Sequence, residues 1–531
     1  MSAHLPLDPT AWLGAARPLF ESAALLAYGL CQLGLALYSS HRYALLSFRE
    51  RGRSNGPSGG AMGTWPGTST LELPESEWPF VTLQFPVYNE PRVIRRLLEA
   101  AARTDYPRDR FEIQVLDDSD DATVSLAAAA IAEIRASGVS IEHLRRATRA
   151  GFKAGALAQG LSVARGELVA IFDADFVPPP EFLRRMVPHL RDPRVGMVQA
   201  RWGHLNRDEN ALTIAQAVML DAHFRIEHTA RMGRGLFFNF NGTGGVWRRR
   251  CIEDSGGWSH ATLTEDLDLS YRAQLRGWRF VFASDVVVPA ELPADMQAFK
   301  SQQRRWTRGG IQTARLVLPA VLRAKLPLAV KLEAFFHLTS NVAYPLLLSI
   351  GVLLLPLLLG RSTIPQSLVW ALQLGVLAFG TVPVAWFLAR GQRGSGRSSI
   401  EVAREVGCAL LLGAGIALNN AVAVVAGSGG KVGTFVRTPK QGDLGSPRVR
   451  GDGDPRGGSG EALLALYFAA VLAWCSVNGQ PQALPFLGFL TLGCAWVAMA
   501  SARPAELAVG RMRDTEPVGA TAARSSASAC P

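Results

Sequence analysis

Long segments that lack Asp, Glu, Lys and Arg constrain this chain more than any other feature of its sequence. They occupy residues 22–40, 334–360, 362–389, 406–430 and 462–502. A helix that crosses a bilayer needs roughly 20 mostly apolar residues, and a soluble core helix rarely runs so long. The last segment is long enough for two helices. The sequence therefore predicts an α-helical transmembrane domain and excludes a single soluble domain, a disordered chain and a collagen.

Basic residues beside these segments indicate their orientation, because loops rich in Lys and Arg stay on the cytoplasmic side. Clusters follow the first, third and last segments, at Arg42, Arg49, Arg51 and Arg53, at Arg390, Arg393 and Arg397, and at Arg503, Arg511 and Arg513. If the 406–430 segment crossed fully, the basic stretch 431–456 would lie outside. We therefore expect residues 400–427 to lie in the interface or to re-enter, which leaves five true spans.

Changes in composition divide the chain into seven predicted parts. They are an N-terminal segment with the first span (1–48), a linker (49–78), an α/β domain (79–310), an interfacial helix with two spans (311–389), an interfacial helix with a cytoplasmic loop (390–460), two spans (461–502) and a disordered tail (503–531). The six cysteines show no C-x-x-C spacing, so a disulfide framework or a zinc site is not expected. The net charge of +11 would suit nucleic acid, an anionic membrane or an anionic substrate. We expect no nucleic-acid partner.

Between residues 79 and 310 the hydrophobic pattern changes to short apolar runs that alternate with helical periodicity. We predict strands at 81–87, 111–116, 140–144 and 168–172, and helices at 91–104, 122–137 and 152–164. Such alternation is typical of an α/β sheet that helices cover on both faces. In these sheets ligands bind at the carboxyl ends of the strands, which is where acidic residues of this chain cluster.

Carboxylates follow two of the predicted strands. Asp117 and Asp118 end one strand, and Asp173 and Asp175 follow another. Carboxylates so placed can share a Mg²⁺ ion with a substrate diphosphate, since Mg²⁺ prefers oxygen ligands and often binds substrate phosphates. A bare D-x-D also arises by chance in a long chain. Its position directly after an apolar strand, matched by a second acidic strand end, favours a function.

The tripeptide Thr264, Glu265 and Asp266 precedes a predicted helix at 267–276. One interpretation is structural, with an N-cap followed by acidic residues that the helix dipole favours. The other is catalytic, because a carboxylate in this place can serve as a general base. The tripeptide alone does not decide between them.

Gln302, Arg305 and Trp306 share one face of a predicted helix at 295–309. An interfacial helix would place its basic residues toward lipid headgroups and its tryptophan in the aromatic belt. An active-site face would instead offer ligands for a diphosphate and an aromatic surface for a sugar ring. Both interpretations fit the spacing.

Three weaker signals are discounted. The glycines at 242–245 lack the spacing and the strand-to-helix context of a dinucleotide-binding loop. The sequon at 241–243 would not meet the glycosylation machinery in a cytoplasmic domain. His204, His223 and His228 lack convincing ligand spacing and are interpreted as packing or surface residues.

Taken in order, these motifs resemble those of the processive family 2 glycosyltransferases, the cellulose synthases and their relatives. The family's D, D-x-D, T-E-D and Q-x-x-R-W series is similar to Asp117/Asp118, Asp173/Asp175, Thr264–Asp266 and Gln302/Arg305/Trp306. The stretches 198–202, 240–247 and 291–293 look most like the cellulose-synthase-like A and C group, the mannan, glucomannan and xyloglucan-backbone synthases. The resemblance runs from residue 81 to 306 and resumes at 435–440.

This resemblance implies a GT-A α/β fold for the cytoplasmic domain, a nucleotide-sugar donor and an inverting single displacement. By carry-over, the nucleotide sugar would be bound by Tyr88, Glu90, Asp117, Asp118, Lys153, Gln302 and Arg305. Asp173 and Asp175 would hold Mg²⁺ or Mn²⁺ on the diphosphate, and Asp266 would deprotonate the acceptor hydroxyl. Trp306 would stack on the acceptor sugar.

The stretch 435–440 resembles the cytoplasmic gating loop F-x-V-T-x-K that covers the donor in this family. Phe435, Thr438 and Lys440 would then contact the nucleotide sugar, while Arg437 replaces the usual valine. The family also places an interfacial helix before this loop, in agreement with the parity argument for residues 400–427. The additional N-terminal spans and the C-terminal PilZ-like domain of bacterial cellulose synthases have no counterpart, so direct cyclic-di-GMP control is not expected.

The main hypothesis is a multi-pass membrane hexosyltransferase, of a bacterial inner membrane or a Golgi-type membrane. It would elongate a β-1,4-linked polysaccharide from GDP-mannose or UDP-glucose and pass it across the bilayer. The residues do not distinguish these donors, which share their diphosphate chemistry, and they identify no accessory export subunit. One alternative is a non-processive transferase with a lipid acceptor, which would need neither the Gln302 motif nor the 435–440 loop. Another is a transporter with a nucleotide-binding domain, but ionisable residues are nearly absent from the predicted spans.

Overall fold

The structure is a computed structural model, and it describes residues 9–54, 74, 77–359, 365–429, 433, 438, 440–442 and 457–502. The predicted linker 49–78 is helical up to Ser54, because the first helix, α1, runs from Pro9 to Ser54. The predicted tail 503–531, Phe435 and Arg437 lie outside the described residues.

A seven-stranded mixed sheet forms the centre of the predicted α/β domain. Its strands are β1 (Val81–Val87), β2 (Phe111–Asp117), β3 (Ile141–Arg145), β4 (Leu168–Ile171), β5 (Val195–His204), β6 (Gly245–Arg248) and β7 (Arg279–Ala290). They lie in the order β3-β2-β1-β4-β6-β5-β7. The first four strands are parallel to one another, and β6 runs antiparallel to both β4 and β5. All four predicted strands are confirmed.

Helices cover both faces of this sheet, as the alternation of elements predicts. They are α2 (Ile94–Ala102), α3 (Thr123–Ala136), α4 (Phe152–Val163), α5 (Phe182–Met186), α6 (Ala211–Ala222), α7 (Thr229–Gly233), α8 (Arg249–Asp254) and α9 (Glu265–Leu275). Along β4 the side chains alternate between two hydrophobic clusters, with Leu168 and Ala170 in one and Val169 and Ile171 in the other. Because successive strand residues point to opposite faces, the two clusters are the two faces of the sheet.

Helix α10 (Met296–Arg323) is longer than the predicted helix at 295–309. The Asp295 side chain caps its first turn by accepting hydrogen bonds from the amides of Gln297 and Ala298, both at 3.0 Å. The glycines at 309 and 310, where the predicted helix ended, are buried inside the helix. Their lack of a side chain allows close packing, so tertiary contacts outweigh the low helix propensity of glycine.

Eight helices follow α10 in the described part of the chain. They are α11 (Leu328–Thr339), α12 (Ala343–Leu359), α13 (Gln366–Gly375), α14 (Val382–Gly391), α15 (Ser399–Gly415), α16 (Ala417–Ser428), α17 (Ser459–Val477) and α18 (Leu484–Ala502). Five stretches of the described residues are long and apolar enough to cross a membrane: Glu21–Phe48, Leu328–Leu359, Trp370–Gly391, Ser459–Val477 and Pro481–Ala502. They correspond to the uncharged segments, apart from 406–430. The prediction that the α/β domain is combined with helices able to span a membrane is therefore confirmed.

The segment expected in the interface consists of α15 and α16, which are bent by 49° relative to each other. The pair passes the length and hydropathy criteria for a span only when both helices are taken together, which would raise the number of candidate spans to six. A bend of this size occurs in a broken span and in a re-entrant segment. Interfacial placement of residues 400–427 therefore stays a prediction.

Candidate active site

A cavity opens where β1, β2 and β4 end, and it collects nearly all residues predicted for the site. Twelve of the fourteen predicted residues line it: Tyr88, Glu90, Asp118, Lys153, Asp173, Asp175, Asp266, Gln302, Arg305, Trp306, Thr438 and Lys440. Of the other two, Phe435 lies outside the described residues and Asp117 lies behind the cavity wall. Residues that are far apart in the sequence, such as Tyr88 and Lys440, thus meet at one edge of the sheet.

Asp117 and Asp118 are neighbours with different surroundings. The Asp117 carboxylate is fully buried, and it accepts hydrogen bonds from the Ser119 amide at 2.9 Å and the His143 ring at 2.8 Å. Burial opposes its ionisation, but the hydrogen bonds from His143 and Ser119 hold its pKa below the usual value. Asp118 faces the cavity, and both of its oxygens bind the Arg146 guanidinium. Of this pair, only Asp118 is in a place to contact a ligand.

Each carboxylate after β4 holds an ammonium group. Lys153 Nζ lies 2.5 Å from Asp173 Oδ1, and Lys440 Nζ lies 2.6 Å from Asp175 Oδ2. Burial alone would lower the pKa of both lysines, but the adjacent aspartates outweigh it and raise the pKa of each. The end of β4 is therefore a place where two carboxylates bind cations.

This pair of carboxylates fits a divalent metal whose remaining ligands come from the substrate and from water. The described residues contain no group of three or more His, Cys, Asp or Glu arranged to hold a metal ion. Mg²⁺ in phosphate-handling sites commonly uses one or two carboxylates, with water and substrate phosphates as the other ligands. Asp173 and Asp175 meet that requirement, since both line the cavity and both already bind a cation.

The loop before β6 also lines the cavity, although the patterns in the sequence assigned no role to the stretch 240–247. Its Gly242 carbonyl accepts a hydrogen bond from Lys153 at 2.9 Å, and the Thr243 hydroxyl accepts one from the Asp173 amide at 2.9 Å. Gly242 has a φ of +83°, and a Cβ there would lie 3.0 Å from Asp266 Oδ2. Glycine is thus required here because the backbone is left-handed and because Asp266 lies too close for a side chain. Dinucleotide binding is not the reason for it.

Asp266 lies in the first turn of α9 and faces the cavity. The capping interpretation is not supported at Thr264, whose side chain makes no capping hydrogen bond and instead contacts Thr313 Oγ1 at 3.1 Å. Burial, followed by the neighbouring charge of Glu265, raises the pKa of Asp266 to about 7, although Lys153 opposes the shift. A general base works best when its pKa lies near the operating pH. The surroundings of Asp266 therefore suit that role.

The Gln302, Arg305 and Trp306 face of α10 forms another wall of the cavity. Arg305 donates a hydrogen bond from Nη2 to Thr438 Oγ1 at 3.3 Å. Burial lowers the pKa of Arg305, against the attraction of Glu265 and other nearby carboxylates. Trp306 borders the cavity together with Gln302 and Arg305, which is the arrangement expected of an active-site face.

Glu291 is a second residue whose role the sequence did not indicate. It follows β7, and its side-chain oxygens accept hydrogen bonds from the backbone amides of Gln441 and Gly442, the latter at 3.1 Å. Lys440 also donates to the Glu291 carbonyl at 3.3 Å. The short segment 440–442 is thereby attached to the α/β domain, although it lies far from Glu291 in the sequence. The motif at 291–293 was the available signal, but it carried no assigned role.

Two arginines before α4, Arg146 and Arg149, contact residues that line the cavity, Asp118 and Tyr88. The Arg149 guanidinium carbon lies 3.3 Å from the centre of the Tyr88 ring, in a cation–π contact. Arg146 binds Asp118, as described above. These arginines were not predicted, and the signal that could have found them is the basic run between β3 and α4.

Comparisons with known proteins agree with this architecture. Residues 79–309 match the family described as "Glycosyltransferase like family 2". Glucomannan 4-beta-mannosyltransferase 2 of Arabidopsis thaliana is 44% identical over 259 residues, which are 48% of this chain and 48% of that protein. Probable glucomannan 4-beta-mannosyltransferase 10 of the same plant is 42% identical over 260 residues, 48% of this chain and 47% of that protein. The chain thus spans about half the length of the curated relatives it matches.

Among solved structures, the mannosyltransferase PcManGT from Pyrobaculum calidifontis, in complex with GDP-Man and Mn²⁺, is 22% identical. It covers 76% of this chain and 99% of its own, with a TM-score of 0.48. The S. aureus TarS fragment 1–349 is 15% identical, covers 65% of this chain and 88% of its own, and has a TM-score of 0.37. The family match and the mixed sheet confirm the predicted GT-A-like fold. Residues 79–309 form a glycosyltransferase family 2 domain.

Proposed function

We propose that this protein is a membrane hexosyltransferase that elongates a β-1,4-linked polysaccharide, a mannan, glucomannan or glucan, from a nucleotide sugar. The observation that carries the proposal is the convergence of Asp173, Asp175, Asp266, Arg305 and Trp306 on one cavity. These are the groups that such a transfer needs: cation-binding carboxylates, a base, a cation for the diphosphate and an aromatic surface for a sugar. The relatives named as glucomannan mannosyltransferases support the same chemistry.

In the proposed reaction, an acceptor hydroxyl attacks the anomeric carbon of the donor sugar. The new carbon–oxygen bond forms while the bond between that carbon and the diphosphate breaks, so the configuration inverts and a nucleoside diphosphate leaves. Asp266 takes the hydroxyl proton. With a pKa of about 7, this carboxylate is largely ionised slightly above neutral pH and is still basic enough to accept the proton.

The leaving diphosphate carries negative charge that must be neutralised as the bond breaks. Lys153, Arg305 and Lys440 line the cavity as cations, and Arg305 and Lys440 approach it from different segments of the chain. A divalent cation, Mg²⁺ or Mn²⁺, held by Asp173 and Asp175 would supply further charge neutralisation when bound. We assign the nucleotide to Tyr88, Glu90 and Asp118.

Trp306 is proposed to stack on the acceptor sugar, next to the diphosphate ligands of its own helix face. An aromatic ring buries a large area without requiring one pattern of hydroxyl groups. That property suits a site that must accept each newly added unit in turn. Processive addition is the consequence.

We further propose that the α/β domain faces the cytoplasm and that the polymer crosses the bilayer among the candidate spans. The basic clusters beside the first and third spans support this orientation through the positive-inside rule. Helix α10 supports the route, because it carries Trp306 and packs against α11, where the second candidate span begins.

The experiment incubates membranes that contain the full chain with labelled GDP-mannose or UDP-glucose and with Mg²⁺ or Mn²⁺. Any polymer is then digested with linkage-specific glycanases. We expect a polymer that a β-1,4-mannanase or β-1,4-glucanase degrades, and no polymer from Asp266→Asn membranes. A product limited to one sugar on a lipid would overturn the proposal in favour of the non-processive alternative.

A further inference from the structure

A partly buried chain of hydrogen bonds lies behind the cavity wall formed by the loop before β6. It begins in the π-helical turn His223–His228, between α6 and α7. Glu227 Oε2 lies 2.8 Å from His223 Nδ1, and His223 Nε2 lies 3.0 Å from Asn241 Nδ2. On the other side of the same amide, Asn241 Oδ1 lies 2.7 Å from His228 Nε2. Asn241 is thus held between two imidazole rings.

The partners assign a direction to every hydrogen bond in this chain. An ionised carboxylate only accepts, so His223 donates from Nδ1 to Glu227 and its bare Nε2 accepts from the Asn241 amide nitrogen. His228 donates from Nε2, because both of its partners, Asn241 Oδ1 and the Asn239 carbonyl, are acceptors. The Glu227 charge at one end and the Asn239 carbonyl at the other therefore fix the tautomers of His223 and His228 and, through them, the orientation of the Asn241 amide.

Surrounding charges keep Glu227 ionised. Arg231 Nη1 lies 3.3 Å from its carboxylate and Arg42 Nη1 lies 3.4 Å from it. Burial opposes ionisation, but these arginines and His223 hold the pKa of Glu227 well below its usual range. Arg231 has a second carboxylate partner, Glu333, at 2.8 Å. Glu333 thus contacts the same arginine as Glu227 does. It also contacts His41, whereas Glu227 contacts His223.

The position of the Asn241 side chain matters because the backbone of Asn241 and Gly242 forms part of the cavity wall. The Asn241 N–H donates to Gln199 Oε1 at 2.9 Å, and both Asn241 and Gly242 line the cavity. The next carbonyl, that of Gly242, accepts from Lys153, which in turn binds Asp173. Loss of the hydrogen bonds that hold the Asn241 side chain would let this residue shift, and the adjoining Gly242 carbonyl, which places Lys153 beside Asp173, would shift with it.

We propose that Glu227, His223 and His228 are positioning residues, which fix the Asn241 amide and thereby align the Gly242–Lys153 contact for transfer. The inference rests on the proposed function. None of the three lines the cavity, so they act on the reaction only through Asn241. Misplacement of a catalytic group by about 1 Å can cost on the order of 10²-fold in rate. We therefore expect a fall in kcat of about 10- to 100-fold when the direction of the chain is lost.

The test compares Glu227→Gln with Glu333→Gln in the full chain, using kcat, the KM for the donor and Tm. Both variants remove one carboxylate from Arg231, so both should lower Tm. Only Glu227→Gln gives His223 a neighbour that no longer fixes its tautomer. We expect its kcat to fall about 10- to 100-fold with little change in the donor KM, while Glu333→Gln stays within about threefold of wild type. Equal kcat values for the two variants would overturn the inference.

A double variant tests the donor and acceptor directions in this series of hydrogen bonds. In Glu227→Gln/Asn241→Asp the negative charge moves by one link, so His223 can donate from Nε2 to the carboxylate introduced at position 241, which also accepts from His228. We expect its kcat to exceed that of Glu227→Gln, and a lower value would count against the assigned directions. If Glu227→Gln does not fold, His223→Phe removes the hydrogen bonds of His223 to both Glu227 and Asn241 and should show a comparable loss of kcat. Wild-type membranes that transfer no sugar would overturn the proposed function, and this inference with it.

Discussion

Replacing Asp266 by asparagine should lower the rate of sugar transfer and, at alkaline pH, raise the stability of the folded protein. The rate should fall by about 10²- to 10⁴-fold, because asparagine cannot accept the proton of the acceptor hydroxyl. A residue that only capped α9 would behave differently. Its replacement by asparagine, itself a good capping residue, would cost about 1 kcal/mol or less and would leave turnover unchanged.

The gain in stability follows from the pKa of Asp266. Folding raises this pKa from 3.8, the value of an unperturbed aspartic acid, to about 7. The folded protein therefore binds the proton more tightly than the unfolded chain, so stability falls as the pH rises from about 4 to 7. Three pKa units at about 1.4 kcal/mol each put the full cost near 4 kcal/mol above pH 7. Asparagine is never charged, so Asp266→Asn should avoid up to about that amount.

The assay measures transfer in membranes and thermal unfolding in detergent at pH 5 and pH 8. We expect the Tm advantage of Asp266→Asn over wild type to be larger at pH 8 than at pH 5. Asp268→Asn is the matched control, because Asp268 is buried in the same helix and pairs with Arg272 at 2.7 Å, away from the cavity. It should lose stability and keep its turnover. Near-normal transfer by Asp266→Asn, or a lower Tm at pH 8, would refute the reasoning.

Three further predictions concern the metal ligands, the acceptor site and the segment at 440–442. Asp175→Asn should abolish transfer in a folded protein, and a chelator should do the same to the wild type, whereas full activity in chelator would argue against a metal. Trp306→Ala should prevent elongation while donor affinity survives, and polymer of normal length would contradict the acceptor assignment. Glu291→Gln replaces one of the two oxygens that accept from the Gln441 and Gly442 amides by an NH2 group, which cannot accept, so trypsin should cleave after Lys440 several-fold faster. Cleavage no faster than in the Glu99→Gln control, an exposed carboxylate, would contradict the attachment.

The regular part of the fold was predictable because its signals are local. An apolar run such as 81–87 is buried on both faces of the sheet, so it cannot be confused with an amphipathic helix of the same length. The end of α10 was not predictable in this way. The predicted helix stopped at residue 309, and the contacts of Gly309 and Gly310 with other segments explain why the helix continues past them.

The site was predictable where a motif ends a strand and unpredictable where distant segments meet. Asp118 follows β2 directly and Asp173 lies two residues after the end of β4, so their place at one edge follows from the parallel sheet. Asp117 differs because it still belongs to β2, where its side chain is buried beside His143. Glu291 accepts hydrogen bonds from backbone amides of a distant segment, and the loop at 239–244 offers its own Gly242 carbonyl to Lys153. No residue pattern in either stretch states which carbonyl or amide will be its partner.

The histidines show the same limit. His228 is fully buried, in agreement with its interpretation as a packing residue. That description leaves out the hydrogen bonds that His223 and His228 make with Asn241, which depend on ring orientation. Both histidines are separated from Asn241 by α7 and the loop that follows it, so spacing could not reveal the contact.

The close crossing of α9 and α10 has a mechanical consequence for a polymer-forming enzyme. A Cβ on Gly309 would lie only 2.6 Å from Thr264 Cγ2, so the start of α9 rests directly on the backbone of α10. The proposed base Asp266 and the proposed stacking ring of Trp306 thus lie on two helices that are in direct contact. In the proposed elongation, these two side chains would keep their spacing while the product advances past them by one sugar unit in each cycle.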